Sequence, residues 1–194
     1  MPPKCVVKYW LDEWGKDFQP AIGHNDGTTM EKNFIPFERD GLLFIIYRCH
    51  PTQQVVRMEG EEASQPLETP GPRWPYGEVR GGTPPVEYEG NLLRFFHSHL
   101  QNELTPPHHR YYVGAYLMEP NPPFAVVRVS RRPVLFGSEA DNLTPEQRKA
   151  CPHWKPNVVF PGGIVVRDGY FLLSCGINDS ASAIVKITPS MLNL

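Results

Sequence analysis

The densest group of reactive side chains in this sequence is His97-Ser98-His99, followed shortly by Glu103. On a strand, alternate residues share a face. The two imidazoles with a downstream carboxylate therefore make a ligand spacing familiar from metal-binding β-barrels. A barrel of that kind needs a second histidine after Pro161-Gly162-Gly163, where Ile164-Val165-Val166 follows instead. His108-His109, in a proline loop, could add a ligand. The cations suggest a different chemistry. Lys32, Arg80 and Arg110, with His97 or His99, could hold phosphate or a sugar carboxylate through charge-assisted hydrogen bonds. Asp179, after Gly176-Ile177-Asn178, offers a carboxylate to sugar hydroxyls or caps a strand as an Asx turn. Trp74, Tyr76, Tyr112 and Trp154 could stack on a sugar face or simply pack. No nucleophile elbow, phosphate-cradling glycine loop or dinucleotide fingerprint occurs.

A design used three times must position these groups. NFIPFERDGLLFIIYRCH, GTPPVEYEGNLLRFFHSH and VVFPGGIVVRDGYFLLSCGIND each read as apolar strand, acidic-glycine turn, second apolar strand and polar tail. The turns are Asp40-Gly41, Glu89-Gly90-Asn91 and Asp168-Gly169, where glycine supplies the positive φ of a tight hairpin. In an antiparallel hairpin the tail returns beside the incoming residues. Cys49-His50, His97 to His99 and Asn178-Asp179 should therefore lie by Lys32-Asn33, Arg80 to Gly82 and Phe160 to Gly162, at one mouth if the hairpins stack around an axis.

The 194 residues predict a single all-β domain of propeller type, its blades antiparallel meanders. Residues 1–31 read as a strand-and-loop remnant, 32–79 as one blade, 80–137 as another, 138–157 as a helix-and-loop insertion and 158–194 as a third blade. Glu59 to Val79 reads as a polar, proline-rich loop, and the middle blade as a four-stranded meander. Thr144-Pro145 predicts a helix start, with a threonine cap and proline at the first helical position. Twenty-two prolines favour rigid loops over helices. A formal charge of −2 offers no electrostatic footprint for nucleic acid or an anionic membrane. The four widely spaced cysteines, with no secretory h-region near Met1, read as free thiols of a cytoplasmic protein.

At these segments the chain resembles glycoside hydrolase family 130, the β-mannoside phosphorylases and related mannosidases. EKNFIPFERDGLLFIIY, RGGTPPVEYEGNLLRFFHS, RYYVGAYLMEPNPPF and VVFPGGIVVRDGYFLLSCGIND occur in the family's order. The resemblance implies a five-bladed propeller whose central pocket binds a mannoside. Inorganic phosphate, as co-substrate, or water would attack the anomeric carbon with inversion. It further implies that Lys32 and Asn33 line the pocket and that Arg80, Gly82 and Thr83 shape the approach to the next blade. His97 would lie near phosphate, Tyr112 would match the tyrosine of a Tyr-x-Val-Gly-Ala strand, and Asp179 would contact the sugar. The family's general acid lies in an Asp-Pro-Arg-like context in N-terminal blades. No Asp-Pro-Arg occurs here, so the chain reads as the C-terminal three blades with the catalytic acid unassigned. The expected partners are an oligosaccharide and a second copy or partner chain that completes the ring. The competing readings are a non-catalytic sugar-binding domain lacking the acid and a metal-dependent barrel using His97, His99 and Glu103.

Overall fold

The computed structural model describes residues 33–59, 62–101, 109–138, 143–151 and 154–194. Lys32, Glu103, His108 and the N-terminal remnant lie outside the described residues. At Asp40-Gly41 the backbone turns with φ of 52° and 74°, and strand β1 (Ile35–Arg39) meets β2 (Leu42–Arg48) with Arg39 opposite Leu42. Two consecutive positive φ values give a turn whose twist matches that of the strands it joins. β3 (Thr52–Glu59) pairs with β2. β4 (Glu62–Ala63) and β5 (Leu67–Pro70) both pair with β3. The segment expected to be all loop thus contributes two short edge strands. Edge strands tolerate proline, which has no N–H to donate to a ladder, and Pro70 ends β5.

The second sheet has six strands rather than the expected four, in the order β10-β9-β8-β6 with β7 on β8 and β11 on β9. One edge is β6 (Glu78–Gly82) and β7 (Val86–Tyr88), separated by Thr83-Pro84-Pro85. β8 (Asn91–Gln101), β9 (His109–Met118), β10 (Val126–Val129) and β11 (Leu135–Phe136) follow. Asn91 is a strand residue opposite Tyr88, so the turn is Glu89-Gly90 alone, with φ of 49° and 73°. The helix α1 (Pro145–Ala150) begins at the expected cap. Thr144 Oγ1 accepts from Gln147 N–H at 3.3 Å, and Gln147 Oε1 accepts from Thr144 N–H at 2.9 Å. The third sheet runs β12 (Val159–Arg167), β13 (Tyr170–Ile177) and β14 (Ala181–Ile187).

Every residue from Leu92 to Ser98 on β8 is buried, so the second sheet is covered on both faces. Leu92, Phe96, Tyr116 and Met118 pack with Phe37, Phe44 and Phe124 toward the first sheet. Leu93, Phe95, Val113 and Ala115 pack with Phe171, Leu173 and Ile187 toward the third. The three sheets are stacked face to face as successive blades. An aromatic wedge locks each junction. The Phe124 ring meets Phe37 and Phe44 edge-on at 5.2 and 4.9 Å, and Phe171 meets Tyr88 edge-on at 5.2 Å. Edge-to-face contacts add to the area term, which alone is roughly 1.5–3 kcal/mol for each buried phenylalanine. Among the described residues Cys49, Cys151 and Cys175 are free thiols, and burial pushes the Cys175 thiol up to about 11. No helix among the described residues is long and apolar enough to cross a membrane.

Candidate functional site

The incoming residues of the first two blades touch at Gly81. A Cβ built there would stand 2.4 Å from Asn33 Cβ and 2.7 Å from the Asn33 carbonyl oxygen, so only glycine lets the chains approach this closely. Asn33 itself holds φ of 69°, a left-handed conformation that asparagine tolerates better than most residues. The Gly81 carbonyl faces the other way as well, 2.7 Å from His97 Nδ1. A carbonyl only accepts, so this contact assigns the proton to Nδ1 and leaves the acceptor role of the neutral ring to Nε2. His97 is 3% exposed, and its ring lies 4.5 Å from Phe160 of the third sheet and 6.0 Å from Tyr111, nearly parallel to the latter. Asn33, Gly81, His97 and Phe160 thus form one continuous line of contacts from the first blade to the third.

The neighbouring glycine holds the edge strand in place. A Cβ at Gly82 would lie 2.1 Å from the Phe95 carbonyl oxygen. Thr83 is completely buried. Its N–H donates to Phe95 O at 2.9 Å, and its hydroxyl accepts from Phe95 N–H at 3.0 Å. Arg80 is half-buried and ion-paired to Glu78 at 3.2 Å. Tyr112 stands on the opposite face of the second sheet from His97, because Ser98 is its cross-strand partner. There it meets Tyr76 at 5.4 Å, and Tyr76 meets Trp74 at 4.9 Å. Trp74 Nε1 donates to Ser98 Oγ at 2.7 Å, and Ser98 Oγ donates to Tyr76 O at 2.7 Å, which makes Ser98 a brace rather than a nucleophile. Trp154 is not part of this group. It lies under the Arg148 guanidinium, 4.2 Å away.

Asp179 is exposed, with φ of 51° and its carboxylate 3.4 Å from Lys155 Nζ. The strand-capping role falls to its neighbour, since Asn178 Oδ1 accepts from Val158 N–H at 2.9 Å. The carboxylates of Glu78 and Asp179 are both paired to cations. A shallow recess of about 270 Å³ lies beyond Phe160, lined by Gly162, Ser174, Gly176 and Ile184; Asn33, Arg80 and His97 are not part of its wall. Among the described residues no three His, Cys, Asp or Glu groups are placed to hold a metal ion.

Sequence reasoning left His109 in a loop, yet it opens β9 opposite Gln101. Its Nδ1 is 3.0 Å from His99 Nε2, and the rings lie nearly parallel. Burial first, then His109 and Arg80, hold the His99 imidazole below its ordinary range, with Glu78 opposing. An imidazole with a lowered folded value takes its proton later than the unfolded chain does. Stability is therefore expected to fall as pH drops below about 6.5 and to level off below the folded value. Urea unfolding between pH 8 and 5 checks this. His99→Gln should flatten the part of the slope that the wild type shows there.

A family profile described as β-1,4-mannooligosaccharide phosphorylase matches residues 14–194. Among solved structures, the chain is similar to β-1,2-mannobiose phosphorylase from Listeria innocua, described in complex with β-1,2-mannobiose. The TM-score is 0.66 at 18% identity, over 89% of this chain and 47% of that one. It is also similar to a glycosyl hydrolase from Bacteroides ovatus, with a TM-score of 0.57 at 13% identity, over 81% of this chain and 48% of that one. A third similar structure comes from work on GH130 glycoside hydrolases that target β-1,2 mannosidic linkages in Candida mannan. Its TM-score is 0.56 at 13% identity, over 81% of this chain and 48% of that one. A comparison with curated proteins found no match. The chain spans about half the length of the solved structures it resembles. The repeated hairpins, the face-to-face sheets and the profile match over nearly all of the sequence lead to one assignment: the chain belongs to glycoside hydrolase family 130.

Proposed function

We propose that the end of the stacked blades where Asn33, Gly81, His97 and Phe160 meet takes part in binding a mannoside, and that the protein cleaves it with phosphate or water as acceptor. The observation that carries this reading is the contact line itself, which brings polar groups from the first two blades against an aromatic ring of the third. His97 is the central group. Its Nδ1 proton, committed to Gly81 O, fixes the ring against Phe160 and so joins the second blade to the third at this end. Arg80, and Lys32 just before Asn33, supply positive charge for phosphate, and Asp179 accepts from sugar hydroxyls. Gly82 and Thr83 act by fixing the edge strand against β8. Tyr112, with Trp74 and Tyr76, offers an aromatic wall on the other side of the blade.

Inversion needs an acid on one side of the scissile bond and an acceptor on the other. In inverting hydrolases the two carboxyl groups stand roughly 6.5–9.5 Å apart. Glu78 and Asp179 are ion-paired to Arg80 and Lys155 respectively, and Asp179 is exposed. This favours a role in binding for Asp179 and, as the second reading, a sugar-binding module without turnover.

Incubation with β-mannosides, with and without inorganic phosphate, separates these outcomes. Sugar phosphate formed only with phosphate indicates phosphorolysis, and free mannose in both conditions indicates hydrolysis. Binding of manno-oligosaccharide by calorimetry without product indicates the module, and neither binding nor product would overturn the proposal. His97→Ala is expected to weaken mannoside binding at least about tenfold, because the ring that joins Gly81 to Phe160 is lost. The unfolding midpoint of the same variant checks that the blades remain stacked.

A further inference from the structure

We propose that His99 and His109 form a two-imidazole chelate for a divalent first-row transition metal of tetragonal preference, Cu²⁺ or Ni²⁺. The residues are diagonal neighbours on paired strands, since His99 stands opposite Tyr111 and Gln101 opposite His109. They share a face of the sheet, and their nearest ring nitrogens, His99 Nε2 and His109 Nδ1, are 3.0 Å apart. Metal–imidazole bonds are roughly 2.0–2.1 Å long. Two such bonds ending on nitrogens 3.0 Å apart enclose an angle of about 94° at the metal, given those bond lengths. That is close to the cis angle of a square or tetragonal site, the geometry Cu²⁺ and Ni²⁺ favour.

The surroundings suit a cation better than the local charge suggests. Only a neutral imidazole binds metal. The positive charge of Arg80 is countered by Glu78, 3.2 Å away. The Tyr111 ring packs 4.8 Å from His99 and restricts its rotation, while the exposed His109 leaves the site open to solvent. In the absence of metal the two nitrogens share a proton. When metal binds, the donor ring changes tautomer and carries that proton on its far nitrogen, so two neutral rings bind without net proton loss. With no third His, Cys, Asp or Glu ligand among the described residues, the remaining coordination positions belong to water or an incoming anion. The site is thus a rim site, separate from the buried His97.

The test is titration of the full chain with Cu²⁺, read by frozen-solution electron paramagnetic resonance and by metal content after desalting. The expected result is one equivalent with an axial spectrum split by two imidazole nitrogens. His99→Gln and His109→Gln should each lose that equivalent, and His50→Gln should keep it. His109 is exposed, so its variant keeps the fold and isolates the ligand effect. Absence of a stoichiometric copper signal in the wild type would overturn the proposal, as would an unchanged signal in both variants. In either case the pair is an imidazole–imidazole hydrogen bond and nothing more.

Discussion

Phe124→Ala is expected to cost about 3–5 kcal/mol, the range for truncating a fully buried phenylalanine. Phe124 has no exposed surface, and its ring is the wedge between Phe37 and Phe44. It also sits where the backbone holds φ of 60°, and its carbonyl accepts from Gln53 Nε2 at 2.7 Å. The side chain and the main chain of one residue therefore both fasten the second blade to the first. Removing the ring opens a cavity that the two flanking phenylalanines, anchored on β1 and β2, cannot close without moving a strand. Since single domains hold only about 5–15 kcal/mol in total, the variant should unfold at a markedly lower urea concentration. The junction between the second and third blades rests on Phe171, Tyr88 and Phe95 instead. Amide exchange should therefore accelerate first along β1 to β3, with β8 and β13 protected longer. Uniform acceleration over all three sheets would show that the blades unfold as one unit.

The hairpins are legible in the sequence because positive φ is a local property that glycine and its acidic neighbours announce. Edge strands are not. Glu62–Ala63 and Leu67–Pro70 are polar and proline-bearing, and only pairing with β3 makes them strands. The contact of His97 with Gly81 is likewise legible, because a hairpin must return its tail beside its start, whereas Asn33 meets Gly81 of the next blade and not its own tail. Phe160 had no signal of its own beyond being an incoming residue. Its contact with His97 depends on how the third blade packs on the second. His109 looked like loop because it follows two prolines, and only its register with Gln101 places it beside His99. Asp179 was read for its carboxylate, whereas its pairing with Lys155 depends on how the chain folds before β12.

Arg94 was the least visible of all, since one arginine inside NLLRFF reads as the outward member of an alternating strand. It is instead completely buried. Its Nη1 donates to Tyr116 Oη at 3.0 Å and contacts Cys49 Sγ at 3.5 Å, while Nε and Nη2 have no hydrogen-bond partner. Tyr116 Oη donates in turn to Gln53 Oε1 at 2.6 Å, and burial pushes its phenol well above the ordinary range, so it stays a neutral donor. Two substitutions in this chain should then have opposite outcomes. Tyr116→Phe leaves the buried cation without its oxygen acceptor and Gln53 Oε1 without its donor, at an expected cost of about 3 kcal/mol. Arg94→Met removes the charge and both orphan N–H groups while Tyr116 keeps Gln53. It should fall within about 1 kcal/mol of the wild type or exceed it, because apolar replacement of a poorly compensated buried charge is often neutral or stabilising. Equal losses in the two variants would mean that the guanidinium is fully solvated inside the fold. β8 carries Arg94 and His97 three residues apart, on opposite faces of the same strand, so the pair of variants also tests the site. If Arg94 sets the register of β8 against the first blade, Arg94→Met should hold stability yet loosen the contact of His97 with Gly81, and mannoside binding should weaken while the unfolding midpoint does not.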